Sequence, residues 1–149
     1  MGNGALSGGE MVIGQITDPN ATLAMIPWFI ATEQPAVNIG WELSRRMADQ
    51  PNDTLVLIGI EGKDVKAVVA SFVETDPQTG QRHVFIWQAR VVSGADCGRE
   101  ILAKIEQWAK EKGIGKIVTG TYLPTRRVGA MCRRHGFKKL KDHYLVKEI

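Results

Sequence analysis

The hydrophobic period changes once along this chain, and that change limits the fold more than any other feature. From Leu55 to Val92 the apolar residues follow strand spacing in three runs, Leu55 to Ile60, Val65 to Glu74 and Arg82 to Val92. After Gly94 the spacing becomes helical: Ile101, Leu102, Ile105, Trp108 and Ala109 form one face over Gly98 to Lys112. Gly113 stands where a left-handed helix end is expected. Ile117 to Tyr122 then returns to strand spacing. The polar clusters Glu61 to Asp64 and Asp76 to Gly80 read as hairpin turns, so the first three strands are antiparallel. The single long helix between Arg82–Val92 and Ile117–Tyr122 leads to a parallel pair. The expectation is therefore an α/β (α+β) fold built on one mixed, mostly antiparallel sheet with helices packed on it.

Both ends extend this pattern. Met11 to Thr17 alternates as a first strand, and Ala21 to Glu33 and Ala36 to Gln50 read as helices punctuated by Pro27 and Pro35. In the second of these Val37, Trp41, Ser44 and Met47 share a face. Leu55 to Ile60 is apolar enough to be covered on both sides. Pro124 and Thr125 introduce a short basic helix, Arg126 to Arg134, and Gly136 ends it before a closing strand segment, Phe137 to Val146. The expected order is β-α-α-β-β-β-α-β-α-β. No internal repeat or linker-like stretch divides the 149 residues, so residues 11–149 read as one domain after a flexible lead-in, 1–10.

Composition excludes several classes. At 44% hydrophobic and 23% charged the chain is neither disordered nor fibrous. Its longest apolar stretch, Ala21 to Ala31, is broken by Pro27 and falls short of the roughly 20 residues of a membrane span. Residues 1–10 lack the basic and apolar regions of a secretory signal, and Leu6 replaces the Ser or Thr of a myristoylation motif. Cys97 and Cys132 have no ligand spacing and the three histidines are isolated, so no metal site is expected. Unlinked thiols and a soluble, cytoplasmic protein without membrane contact fit this usage. Charge is uneven: residues 1–97 hold 6 basic and 11 acidic side chains, whereas residues 98–149 hold 13 and 5. The carboxy-terminal third is the anion-facing part.

The element order resembles the GNAT acetyltransferase superfamily over nearly the whole chain, and the end of the chain carries the most specific likeness. Many members have an Asn, an Ala three residues on, a Tyr four further and then Glu-Lys-Leu-Gly-Phe. Here Thr125, Val128, Cys132 and Arg133-Arg134-His135-Gly136-Phe137 stand in that run. The resemblance implies acetyl-CoA as cofactor, its pantetheine arm between the long strand and its parallel neighbour and its diphosphate on the N-terminus of the following helix. Carried over residue by residue, it implies a cofactor site at Val91, Val92, Gly94, Ala95, Gly98 and Arg99, with Thr125, Arg126 and Arg127 at the phosphates.

This chain departs from the family pattern at several positions. The cofactor loop has Ser93 for the usual Gln or Arg and Asp96 for the inner Gly, and it is about two residues shorter. A carboxylate at Asp96 reads as an N-cap competing for the N–H groups a diphosphate needs. Cys132 occupies the place of the family's tyrosine acid, with Tyr122 and Tyr144 as alternatives. Neither central strand contains an acid, which leaves Glu74, or His83, as the base. Trp87 and Trp41 read as core aromatics or as walls of an acceptor pocket.

Three functions follow. The first is an acetyl-CoA-dependent N-acetyltransferase acting on a small-molecule or protein amine. The second is a catalytically inactive relative of that fold, a binding or structural module without the cofactor. The third is a nucleic-acid binder using Arg126, Arg127, Arg133, Arg134, Lys138, Lys139 and Lys141, which lacks interleaved aromatics and is the least expected. Pairing of an exposed strand edge with a second copy stays open.

Overall fold

The computed structural model describes residues 11–23, 36–91, 97–120, 133–141 and 144–149. Seven strands form one sheet: β1 (Met11–Ile16), β2 (Thr54–Glu61), β3 (Asp64–Thr75), β4 (Arg82–Val91), β5 (Lys116–Gly120), β6 (Lys138–Lys141) and β7 (Tyr144–Glu148), in the spatial order β1-β2-β3-β4-β5-β7-β6. The helices among the described residues are α1 (Pro19–Leu23), α2 (Ala36–Asp49) and α3 (Gly98–Glu111), with a 3₁₀ turn at Pro51–Asp53. Every pair is antiparallel except β4 and β5. The single parallel pair is the one that the α3 crossover requires.

Alternation along β2 and β3 divides the core into two layers. Leu55, Leu57, Ala67 and Val69 point to one face, where Ile101, Leu102, Ile105 and Ala109 of α3 cover them. Val56, Val68, Ala70 and Phe72 point to the other, under Ile39, Leu43 and Met47 of α2. The expectation that the first central strand is covered on both sides is met. Gly113, at φ 71°, ends α3 in the left-handed conformation expected of it, with its N–H on the Lys110 carbonyl.

Two expectations are corrected. The buried stripe of α2 is Ile39, Leu43 and Met47, spaced four residues apart, whereas Trp41 is 61% exposed and Ser44 only half-buried. Trp41 lies two residues from Ile39, about 200° around the helix, so it is not a core aromatic. Ile39 and Leu43 bury more apolar surface than a stripe containing Ser44, and that sets the helix's rotation. Second, Phe137 to Val146 is not one segment. It divides into β6 and β7, which pair with each other, and β7 sits between β6 and β5. The polar Asp142-His143 step between the two lies outside the described residues. So do most of the helix expected at Ala21 to Glu33 and of that expected at Arg126 to Arg134, of which Arg133 and Arg134 are seen to be helical.

The rotation of α2 is open to test. Leu43→Ala should lower unfolding free energy by about 2–5 kcal/mol in urea melts, while Trp41→Ser should change it by less than about 0.5 kcal/mol. The reverse ranking would restore the Trp41 face.

Candidate active site

Parallel pairing between β4 and β5 covers only Val84 with Ile117, Phe85 with Val118 and Ile86 with Thr119. β4 nevertheless runs on to Val91, still paired to β3. Among the described residues, which on β5 end at Gly120, this pairing stops at Ile86 and Thr119, the level at which the resemblance implies a gap between the two strands.

A bulge lies at the same place. In the β3–β4 ladder Ser71 faces Ile86 and Ala70 faces Gln88, so Trp87 is an extra residue without an opposite number. The extra residue exchanges the two faces. Before it, Val84 and Ile86 join the α3 layer; after it, Ala89 does, and Trp87 packs instead with the α2 layer. Bulges bend a strand and increase its twist, and this one follows directly on the last described β4–β5 pair. Trp87 is held by Phe72, with ring centroids 5.3 Å apart, and the Arg46 guanidinium lies 4.0 Å over the Phe72 ring.

Beyond the end of β4 the chain reaches the N-terminus of α3. Cys97, fully buried in the α3 layer and not disulfide-bonded, is the N-cap and makes no side-chain capping hydrogen bond; its carbonyl accepts from the Ile101 N–H at 3.0 Å. Cys97 rather than Asp96 holds the N-cap position; Asp96 itself, and with it the reading of its carboxylate as a competitor for the first-turn N–H groups, lies outside the described residues. Gly98 and Arg99 form the first turn, and Arg99 is exposed. Among the described residues no capping side chain occupies the first-turn N–H groups, so the helix end suits an anionic group such as a diphosphate. Of the other expected cofactor residues, Val91 is described only in its backbone, while Val92, Gly94, Ala95, Thr125, Arg126 and Arg127 lie outside the described residues.

On the α2 side of β4, β5 and β7 is a hollow of about 520 Å³ lined by Glu74, His83, Phe85, Lys116, Val118 and Tyr144, together with the β3–β4 turn. Register explains why these residues meet. Glu74 faces His83, and Phe85 faces both Phe72 and Val118. Lys116 precedes Ile117, the partner of Val84, so it lies beside His83 at the hollow's lower end. Tyr144 is opposite Gly120, just beyond the last described β4–β5 pair, and its ring lies 6.4 Å from that of Phe85. Two of the expected catalytic residues, Glu74 and Tyr144, are thus brought to one hollow. Tyr122 and Cys132 lie outside the described residues.

Glu74 Oε2 and His83 Nε2 are 3.8 Å apart, with the side chains 39% and 19% exposed. The pair stands three to four residues below the bulge, about 10 Å by strand rise. Below it, the Asp76 carboxylate accepts the Gln78 N–H at 2.8 Å. That bond above all, with help from Thr79 and His83, holds the Asp76 carboxyl below its ordinary value of 3.8. Lys116 was missed in the sequence because the strand was read from Ile117, although Lys116 and Val118 keep the two-residue spacing of a shared face. Among the described residues no group of His, Cys, Asp and Glu could hold a metal ion, and no helix is long and apolar enough to cross a membrane.

A sheet of this order, with one parallel pair followed by a bulge ahead of a helix N-terminus, is the fold of the GNAT acyl-CoA N-acyltransferases. Solved structures of that fold cover nearly all of the chain. The PaiA N-acetyltransferase of Thermoplasma acidophilum, in complex with coenzyme A, matches with a TM-score of 0.68 at 14% identity over 94% of this chain and 99% of that one. The IAA acetyltransferase of Bacillus cereus gives 0.67 at 17% over 94% and 100%. An aminoglycoside acetyltransferase from an uncultured soil metagenomic sample, in complex with trehalose, gives 0.65 at 12% over 88% and 92%. No protein-family model matches the sequence, and no curated protein matches it.

The depressed Asp76 carboxyl has a consequence for acid stability. A group whose folded value lies below its unfolded value contributes stability above the unfolded value and loses it as pH falls through the folded one. Asp76→Asn should therefore flatten the dependence of stability on pH below about 3.8. Urea melts of both proteins from neutral pH down to about 2 would check this; identical acid limbs would contradict it.

Proposed function

We propose that the chain is an acetyl-CoA-dependent N-acetyltransferase. The observation carrying this reading is the coincidence, among the described residues, of three features at one place: the end of the β4–β5 pairing, the Trp87 bulge, and an α3 N-terminus without a side-chain cap. Together they suit a slender arm lying beside the end of β4, with a helix dipole for its phosphates. When bound, the cofactor supplies an acetyl thioester. The first turn of α3, with Gly98 and Arg99, binds its diphosphate, and Gly94, Ala95, Thr125, Arg126 and Arg127 are assigned to the same task from the family's pattern.

The hollow receives the amine. Phe85, Val118 and the Tyr144 ring exclude water from its upper part. Tyr144 holds a phenolic proton level with the end of that pairing, where a leaving thiol needs one. The Glu74–His83 pair holds a site for the proton an ammonium must give up, reached through solvent in the hollow because it stands about 10 Å below the bulge.

Acetyl-CoA at 100 times its dissociation constant should stabilise the protein by about 2.7 kcal/mol, a shift of a few degrees in Tm. Tyr144→Phe should keep that shift and lower kcat by about 10²-fold or more. Absence of binding at millimolar ligand overturns the reading; binding with no acetyl transfer to any amine reduces it to an inactive cofactor-binding module.

A further inference from the structure

The charges in the hollow are unequally engaged. Glu74 lies 3.8 Å from His83, and Asp76 accepts from its own turn. The Arg82 guanidinium donates to the Lys112 carbonyl at 2.8 Å, which closes the β3–β4 turn against the end of α3. Lys116 is different. Its ammonium makes no ion pair or hydrogen bond among the described residues, although Glu148 stands opposite it in the β5–β7 ladder. It is half-buried on the hollow wall rather than extended in bulk solvent.

The position of this cation defines a length as well as a charge. Lys116 and Gly120 are the two ends of β5, four residues apart or about 13 Å. Tyr144, beside Gly120, marks the upper end. Between them the wall is apolar, made by Phe85 and Val118. A molecule lying along the hollow thus meets an aromatic hydroxyl, then an apolar stretch, then a lone ammonium. A few placed polar groups on an apolar wall are what orient a small ligand.

We propose that the hollow selects amine acceptors whose far end carries a carboxylate, with Lys116 as the group that receives it. The placing of the amine end rests on the transferase reading above; the carboxylate end rests on the wall of the hollow alone. A compact ammonium suits a single carboxylate, and among the described residues it pairs with none of the nearby acids, Glu148 opposite it included. A diamine of the same length would instead set like charges together.

The test uses the full chain without acetyl-CoA, titrated with 8-aminooctanoate, 1,8-diaminooctane and n-octylamine and followed by amide NMR. The amino acid should shift the resonances of Phe85, Lys116, Val118 and Tyr144 and bind about tenfold more tightly than the diamine. Lys116→Gln should abolish the preference, Lys116→Arg should keep most of it, and Lys116→Glu should reverse it; thermal melts confirm that each variant is folded. Equal affinities in the parent, shifts confined to other regions, or a preference unchanged in Lys116→Glu would overturn the proposal. Because no cofactor is present, these outcomes are independent of catalysis. If 8-aminooctanoate binds but no amine is ever acetylated, the transferase reading fails alone. If some other amine is acetylated while the titration shows no selection, the carboxylate proposal fails alone.

Discussion

Among the described residues the two parts of the sheet meet through three residue pairs, Val84 to Ile86 against Ile117 to Thr119. So short a parallel ladder is a weak joint by itself. What holds the halves together is the layer beneath α3, where Ile101, Ile105 and Ala109 pack with Leu57, Val69 and Ile86 from one half and with Ile117 and Leu145 from the other. Lys147 of β7 adds an ion pair to Glu106 of α3 at 2.9 Å, with both side chains mostly buried. The apolar layer is the larger contribution, since a partly exposed ion pair adds little. The sheet can stand open on one side because its other side is clasped.

This division of labour separates stability from the site. The α3 layer needs volume and hydrophobicity, and nearly all its members are aliphatic. The opposite side of β4, β5 and β7 carries the aromatic and charged side chains, and α2 covers only the β2–β3 half with Ile39, Leu43 and Met47. The hollow is the part of that face where the described helices do not reach.

Much of this was legible in the sequence. The change of period after Gly94 gave the crossover, and with it the parallel pair; a gap between the two strands is implied by the family resemblance alone. Gly113 and the polar turns placed the boundaries to within a residue or two. The bulge was not legible, because Val84 to Trp87 is a continuous apolar run in which no alternation shows where the phase changes. Nor was the division between β6 and β7, where Asp142-His143 contains neither glycine nor proline. The rotation of α2 was misread because Trp41 satisfies helical spacing as well as Ile39 does. Glu74 and Tyr144 were found from their chemistry, whereas the hollow joining them depends on the register of four strands, and register is a property of pairing rather than of any one segment.

The bulge also changes what kind of sequence variation the site can absorb. Trp87 matters first as a count and only then as a side chain: any residue there keeps Gln88 on the face of Ala70 and Ala89 on the face of Val69. Removing one residue anywhere between Ile86 and Gln88 would turn the rest of β4 over, driving the Gln88 amide into the aliphatic layer under α3 and Ala89 out of it. For this stretch of chain, length is held more strictly than identity, so lineages that diverge freely in residues here should still agree in spacing.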